Sequence, residues 1–274
     1  MASSAQYRIM QYNILHEGYA SQEYLNIGLE TRKNNVVNAI KAVSPNVLFL
    51  AERFEEWDAI GNNSVDLMSS LGSDYAIVEN RVTYPLADGG TKTVTNRTPI
   101  VYNTNTFQLV DSGYLFLTEE VSTEVSNNKR GVTWAVLEDV TKTNRKGYQI
   151  AVFSTHWSTN THWRSRESLA MYKQAQASEM QALINGKRFN GLPIVVGGDF
   201  NVTYAEYEYY KPYQWLLERC HLIDVASAIS ENPANTVDHI AVSQQFQVQS
   251  FCFQDVSSAS DHLPIYCNVN YMGD

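Results

Sequence analysis

The chain lacks most of the features that mark a specialised protein class. It has three cysteines, Cys220, Cys252 and Cys267. Their spacing fits no zinc site, and they allow at most one disulfide, so buried free thiols are expected. No apolar run reaches the roughly 18 residues that a membrane-spanning helix needs. Met1–Tyr7 carries no secretory signal pattern, so no leader is expected, while compartment and oligomeric state stay open. No Pro-, Gly- or Ser-rich stretch divides the chain, and one domain over residues 1–274 is expected.

Basic charge is also scarce. Against 29 Asp and Glu stand 20 Lys and Arg, a net charge of −9. The basic clusters Arg32-Lys33, Lys129-Arg130, Arg145-Lys146 and Arg164 with Arg166 form no stripe. A general nucleic-acid binder draws its affinity from neutralising phosphates, so tight non-specific binding to duplex DNA is disfavoured. A small phosphorylated substrate or a short single strand remains compatible. The Asn-x-Ser/Thr triplets at Asn62, Asn96 and Asn201 carry no weight.

What is present is a set of polar strand ends. The apolar run Leu192–Val196 reads as a buried strand stopping at Gly197-Gly198, followed by Asp199-Phe200-Asn201. If the strand persists, period-2 alternation puts Asp199 and Asn201 on one side and Phe200 on the other. Alone, this pattern also describes an Asx turn. But Asn13, Glu52 and His156 each close another strand-like run. Asp238 opens one in Val237–Val242, and Asp261-His262 precede a last one at Ile265–Val269. Six strand candidates with a carboxylate, amide or imidazole at one end, and no Lys there, point to an acidic site for metal and phosphate.

Taken in order, Tyr12-Asn13, Leu50-Ala51-Glu52, Ser154-Thr155-His156, Gly198-Asp199-Phe200-Asn201, Val237-Asp238-His239-Ile240 and Ser260-Asp261-His262 resemble the endonuclease/exonuclease/phosphatase (DNase I-like) superfamily. Arg130-Gly131-Val132-Thr133-Trp134-Ala135 resembles the strand that precedes the His motif in its bacterial members. The resemblance spans nearly the whole chain. It implies an α/β fold, a four-layer α/β/β/α sandwich of two packed mixed β-sheets with flanking helices. It also implies a Mg²⁺-dependent phosphoric ester hydrolase, with Mn²⁺ or Ca²⁺ as other candidate ions. There are departures. Ala51 replaces the usual Gln, Trp157 stands where Leu is common, and Asn96-Arg97-Thr98-Pro99 lacks the Glu that orients the motif His in many bacterial members.

On that resemblance, Asn13, Glu52 and Asp261 are the expected metal residues. Glu52 is the principal ligand, since a hard cation prefers carboxylate oxygen. His156, Asp199, Asn201, Asp238 and His262 are the expected catalytic residues. Either Asp199 or an Asp238–His262 pair takes the proton from water. Asn201 clamps phosphate, and His156 donates to a non-bridging oxygen. His239 points to the other face and is read as structural. Trp157, Trp163, His162 and Arg164 are read as packing or loop residues first and substrate contacts second. Tyr204, Tyr207, Tyr209 and Tyr210 are read as a helix face. The substrate expected is a small or lipid-derived phosphoester, hydrolysed as a diester or a monoester. A DNA or RNA nuclease is the alternative, and a non-catalytic module on the fold comes last.

The remaining pattern predicts helices at Arg32–Ala42, Val65–Leu71, Arg166–Ile184 and Tyr213–Glu218. Strands are expected at Tyr75–Val82, Thr98–Tyr102 and Phe107–Leu117. Asp88-Gly89-Gly90 and Asp111-Ser112-Gly113 supply turns or bulges.

Overall fold

A computed structural model describes residues 5–16, 28–54, 57, 66–79, 81–85, 89–118, 130–141, 148–159, 165–230, 235–256 and 259–272. The elements run β1 (Ala5–Asn13), α1 (Leu29–Val43), β2 (Val47–Ala51), α2 (Leu67–Leu71), β3 (Tyr75–Val78), β4 (Arg81–Pro85), β5 (Thr91–Thr95), β6 (Ile100–Asn103), β7 (Phe107–Phe116) and β8 (Gly131–Asp139). They continue β9 (Gln149–His156), α3 (Arg166–Ile184), β10 (Ile194–Asp199), α4 (Tyr207–Cys220), β11 (Leu222–Asp224), α5 (Val225–Ile229), β12 (Asp238–Ser243), β13 (Phe246–Phe253) and β14 (Ile265–Tyr271).

Two six-stranded sheets form the body, ordered β13-β14-β1-β2-β6-β3 and β11-β12-β10-β9-β8-β7, with β4-β5 as a separate hairpin. Both sheets are mixed. β1 lies parallel to β2 and antiparallel to β14, and β10 lies parallel to β9 and antiparallel to β12. Strand alternation builds the layers. In β1, Tyr7 and Ile9 face the second sheet and pack with Val195, Ile240 and Val242. Met10 and Tyr12 face outward, against Val36 and Ile40 of α1. On the far side, Phe153, Val196 and Phe200 pack under Ala177, Met180, Tyr213 and Leu216 of α3 and α4. The result is helix, sheet, sheet, helix, as the sequence pattern implied.

Gly197 and Gly198 lie inside β10 rather than at the turn that follows it. A Cβ on Gly197 would sit 2.0 Å from Phe49 Cδ2 of the opposing sheet, and one on Gly198 would sit 2.3 Å from the Thr155 carbonyl oxygen. Close approach therefore requires both glycines. The other differences are local. The expected strand Tyr75–Val82 is two strands, broken where Glu79 takes φ 50. The helix expected at Tyr213–Glu218 starts at Tyr207 and carries Pro212 in its first turns. Pro212 is the sixth helical residue, so the ring removes the bond that an N–H there would make to the residue 208 carbonyl, and the ladder already begins at Tyr210 N–H to the Glu206 carbonyl, 3.0 Å. β7 carries the expected irregularity, between Leu109 and Asp111. Cys220, Cys252 and Cys267 are free. Among the described residues, no helix is long and apolar enough to cross a membrane. Trp163, His162, Arg164, Asn62, Val65 and Asp88 lie outside the described residues.

Candidate active site

The ends of β1, β2, β9, β10 and β12 meet at one pole of the two-sheet seam. Asn13 and Asp199 project from the two inner faces, one from each sheet. Asn13 Nδ2 donates to Asp199 Oδ2 at 3.0 Å and to Glu52 Oε1 at 3.2 Å, and stands 3.5 Å from His262 Nε2. Register pairs Asn13 with Ala51, and Asp199 with both His156 and Asp238. Five strand ends thus converge because neighbouring strands finish level.

Backbone turns complete the convergence. Strict alternation would send Glu52 to the outer face with Leu50. Its φ of 59 swings it back toward Asn13, and Glu52 Oε2 accepts the His16 backbone N–H at 3.3 Å. Leu15 and Asn201 take φ 52 and 51, so left-handed residues follow three of the strands. Each such non-glycine costs on the order of 1–2 kcal/mol. Local bonds hold them. Leu15 N–H donates to Asn13 Oδ1 at 3.1 Å, and Asn201 N–H donates to Asp199 Oδ1 at 2.9 Å.

His262 Nδ1 meets Asp238 Oδ2 at 2.6 Å, while Gln11 Nε2 donates to Asp238 Oδ1 at 3.2 Å. Burial alone would lower the His262 pKa. The charge and hydrogen bond of Asp238, with the charges of Asp199 and Asp261, instead push it up to about 11. Burial, followed by the charge of Asp238, pushes the Asp199 carboxyl up to about 6, against the pull of His262 and its own hydrogen bonds. His156 Nε2 lies 3.4 Å from Asp199 Oδ2. Burial, reinforced by the charges of Arg130, His262, Lys173 and Arg97, holds His156 well below the usual histidine range. One imidazole of the site is therefore charged and the other neutral.

Asp261 is the outlier of the expected set. Its side chain is 37% exposed and reaches no nearer than 4.0 Å to His262 Nε2. Asn201 Nδ2 donates to the Trp157 carbonyl at 3.0 Å, which leaves its second amide hydrogen for another acceptor. Asn96, in the segment where that Glu is missing, donates to Thr133 Oγ1 at 2.8 Å and accepts from Thr98 N–H at 3.0 Å. It ties two segments together and makes no bond to His156.

Two expected bystanders are structural. Trp157 is fully buried, edge-on to Phe200, with Nε1 3.0 Å from Met180 Sδ. His239 is buried under Tyr204, Tyr210 and Tyr213. Its Nδ1 faces Asp224 Oδ2 at 3.1 Å and its Nε2 faces the Val202 carbonyl at 2.9 Å. Both partners are acceptors, so both nitrogens donate and the ring is an imidazolium. Sequence reading missed Gln11, Lys173 and Asp224. Gln11 had a signal: it lies two before Asn13, on the same strand face. Lys173 and Gln176 share the buried stripe of α3 with Leu169 and Met180, a helical spacing that polar residue types concealed.

Ligand atoms of Asp199, Asp238 and His262 lie within 4.8 Å of one another. Asp238 and His262 already share a short hydrogen bond, which an ion between them would break. Glu52 Oε1 and Asp199 Oδ2, both held by Asn13 Nδ2, offer the carboxylate oxygens that a hard cation prefers, while Asn13 Oδ1 accepts from the Leu15 N–H. That donor set fits Mg²⁺.

The family model described as the Endonuclease/Exonuclease/phosphatase family matches residues 10–262. The chain belongs to this family. No curated protein matches its sequence. Among solved structures, the human Nocturnin catalytic domain with bound sulfate is similar at 22% identity and TM-score 0.69, over 97% of both chains. A mannosyl-6-phosphatase from Bacteroides thetaiotaomicron is similar at 18% identity and TM-score 0.65, over 96% of this chain and 99% of that one. ANGEL2, a 2',3'-cyclic phosphatase bound to adenosine-2',3'-vanadate, is similar at 15% identity and TM-score 0.70, over 98% and 97%. At these identities the likeness is one of fold.

Proposed function

We propose that the protein is a divalent-cation-dependent phosphoric ester hydrolase acting by in-line attack of water. The observation that carries this reading is the Asn13 amide. It gathers two carboxylates, Glu52 and Asp199, at the point where a charged and a neutral imidazole also converge. Glu52 would hold the ion, Mg²⁺ by preference, with Asn13 orienting its carboxylate and Asp261 positioning the ion or its water. The ion would supply Lewis-acid polarisation of the phosphoryl oxygen.

The chain's own groups divide the proton work. Asp199 is the base. Its raised pKa brings it toward neutrality while leaving it ionised at pH 7, the condition for efficient proton transfer. His262 is charged at that pH and cannot take a proton. Its Nδ1 is held by Asp238, which aims Nε2 at the reacting centre as a fixed positive donor for developing charge. His156, neutral and buried, donates a hydrogen bond to a non-bridging oxygen. The free amide hydrogen of Asn201 donates to another. His156, Asp199 and Asp238 are terminal residues of their strands, while Asn201 lies two residues past β10 and His262, three before β14, is held by Asp238.

The substrate class proposed is a small or lipid-derived phosphoester. The net charge of −9 supports it over nucleic acid. Among the similar structures, one is a mannosyl-6-phosphatase and another a 2',3'-cyclic phosphatase. The test is turnover with Mg²⁺ and with EDTA on bis-p-nitrophenyl phosphate, p-nitrophenyl phosphate, sugar and inositol phosphates, sphingomyelin, RNA and DNA. Mg²⁺-dependent turnover that disappears in Asp199→Ala is expected. A folded wild-type protein that binds Mg²⁺ but hydrolyses none of these would overturn the substrate class. Absence of both binding and turnover would overturn the reaction.

A further inference from the structure

Lys173 is fully buried in α3, yet no step above uses it. A buried ammonium without partners costs several kcal/mol, so its partners matter. They are two consecutive main-chain oxygens. Nζ donates to the Phe200 carbonyl at 3.2 Å and, by a shorter contact, to the Asn201 carbonyl. The next carbonyl along, that of Val202, accepts from His239 Nε2 at 2.9 Å. Three successive carbonyls are therefore gripped from two sides, by a lysine of α3 and a histidine of β12.

The gripped segment is the one whose geometry the reaction needs. Asn201 sits in the left-handed region at φ 51, a conformation that a non-glycine residue leaves unless held. In that conformation its N–H reaches Asp199 Oδ1 at 2.9 Å and its side chain reaches the Trp157 carbonyl at 3.0 Å. Relaxing Asn201 would withdraw the N–H and release the Asp199 carboxylate to rotate. One turn along α3, Gln176 does the same for the neighbouring strand end. It accepts from Ser158 N–H at 3.1 Å and donates to Ser158 Oγ at 2.8 Å and to the Thr118 carbonyl at 3.0 Å. Helix α3 thus reaches beneath both the His156 and the Asp199 strand ends.

We propose that Lys173 is a positioning residue: with His239 opposite, it clamps carbonyls 200–202 and thereby fixes Asn201 and the orientation of Asp199. The proposal rests on the hydrolase reading for its kinetic consequence and on geometry alone for its structural one. Amine hydrogens donate in either protonation state, so the clamp does not depend on the charge of Lys173. Lys173→Met keeps the length and apolar stem and removes the donors. Lys173→Gln keeps a donor on a shorter arm.

The experiment compares wild type, Lys173→Met, Lys173→Gln and the exposed-site control Met171→Gln by steady-state kinetics with Mg²⁺, by thermal melting, and by hydrogen–deuterium exchange. For Lys173→Met, kcat is expected to fall at least tenfold with KM changed less than threefold. Exchange across residues 199–203 should rise while that of β9 and β14 stays at the wild-type level. Lys173→Gln should recover part of both. Wild-type kcat and wild-type exchange at 199–203 in Lys173→Met overturn the proposal. So does a uniform rise in exchange with a lower melting temperature and unchanged kcat, because that is the signature of bulk stability alone. If the wild type shows no turnover on any substrate, the hydrolase reading fails separately and the exchange pattern still decides the clamp.

Discussion

His262 Nδ1 and Asp238 Oδ2 lie 2.6 Å apart, and the pairing keeps the ring protonated at neutral pH. The sequence offered this pair and Asp199 as rival bases. In the proposed reaction their electrostatics favours Asp199. A histidine raised to about 11 gives up no useful basicity at pH 7, whereas a carboxyl raised to about 6 is ionised there and still basic enough to take a proton.

The pairing has a pH signature in the metal-free protein. His262 binds its proton more tightly in the fold than in the unfolded chain, where histidine titrates near about 6.5. Its contribution is therefore complete below about 6.5 and declines as pH rises toward the folded value of about 11. Melting temperatures of wild type and His262→Gln, measured in EDTA, should differ most at pH 6 and converge by pH 10–11. A constant difference across that range contradicts the assignment.

Asp199 runs the other way. Its folded value of about 6 exceeds the unfolded carboxyl value, so the fold favours the protonated form. Stability is highest below about 3.9, falls as pH rises through 6, and stays lower above it. A bound cation relieves that buried charge. Mg²⁺ should therefore raise the melting temperature more at pH 7.5 than at pH 5. Equal shifts at both values count against Asp199 facing the ion.

Glu52→Gln keeps the shape of the side chain and its acceptor toward Asn13 but removes the charge that a hard cation seeks. Calorimetric titration should show Mg²⁺ affinity falling by about tenfold or more. Melting without metal should hold within about 1 kcal/mol of wild type, as expected for a partly exposed polar change. Unaltered Mg²⁺ binding would move the ion elsewhere.

Gly197→Ala places a Cβ where the ring of Phe49 stands, 2.0 Å from Cδ2. Overpacking of this kind costs roughly 1–3 kcal/mol. Urea unfolding should show that loss. Phe49→Leu in the same chain should recover part of it, which makes the pair non-additive. Additive losses would mean that the two residues do not press on each other.

Asp224→Asn takes the counter-charge from a buried imidazolium. Asp224 accepts from Tyr204 OH and Tyr213 OH, each at 2.7 Å, besides facing His239. Breaking one side of a buried pair costs about 3–5 kcal/mol, measurable by urea denaturation.

Most strand ends were legible because their chemistry interrupts apolar runs. Asn13, Glu52, His156, Asp199 and Asp238 each stand where a buried strand meets a polar neighbour, and alternation put Asp199 on the side opposite Phe200. Helix α3 was legible to the residue from its apolar spacing, and the structure adds the Ser165 hydroxyl that caps the Ser168 N–H at 3.2 Å. Backbone conformation was less visible. Nothing in Ala51-Glu52-Arg53 announces a left-handed residue, and Gly197-Gly198 reads as a turn until the opposing Phe49 is in place. Lys173 was hidden for a different reason. A lysine in a helix reads as solvated until its carbonyl partners, 27 and 28 residues away, fold onto it. The short strands β5 and β11 lacked a clear alternating signal, and the alternation that opens β13 at Phe246–Gln249 is broken by a register shift between Val248 and Ser250.

Asn13 and His262 stand 3.5 Å apart in space and 249 residues apart in the chain, and they belong to a site shared by both sheets. No fragment of the polypeptide holds the reactive set, and neither sheet assembles it alone. On the proposed reading, turnover would be a gauge of whole-molecule assembly, since a slip of one sheet over the other would part Asn13 from Asp199 while leaving each sheet intact.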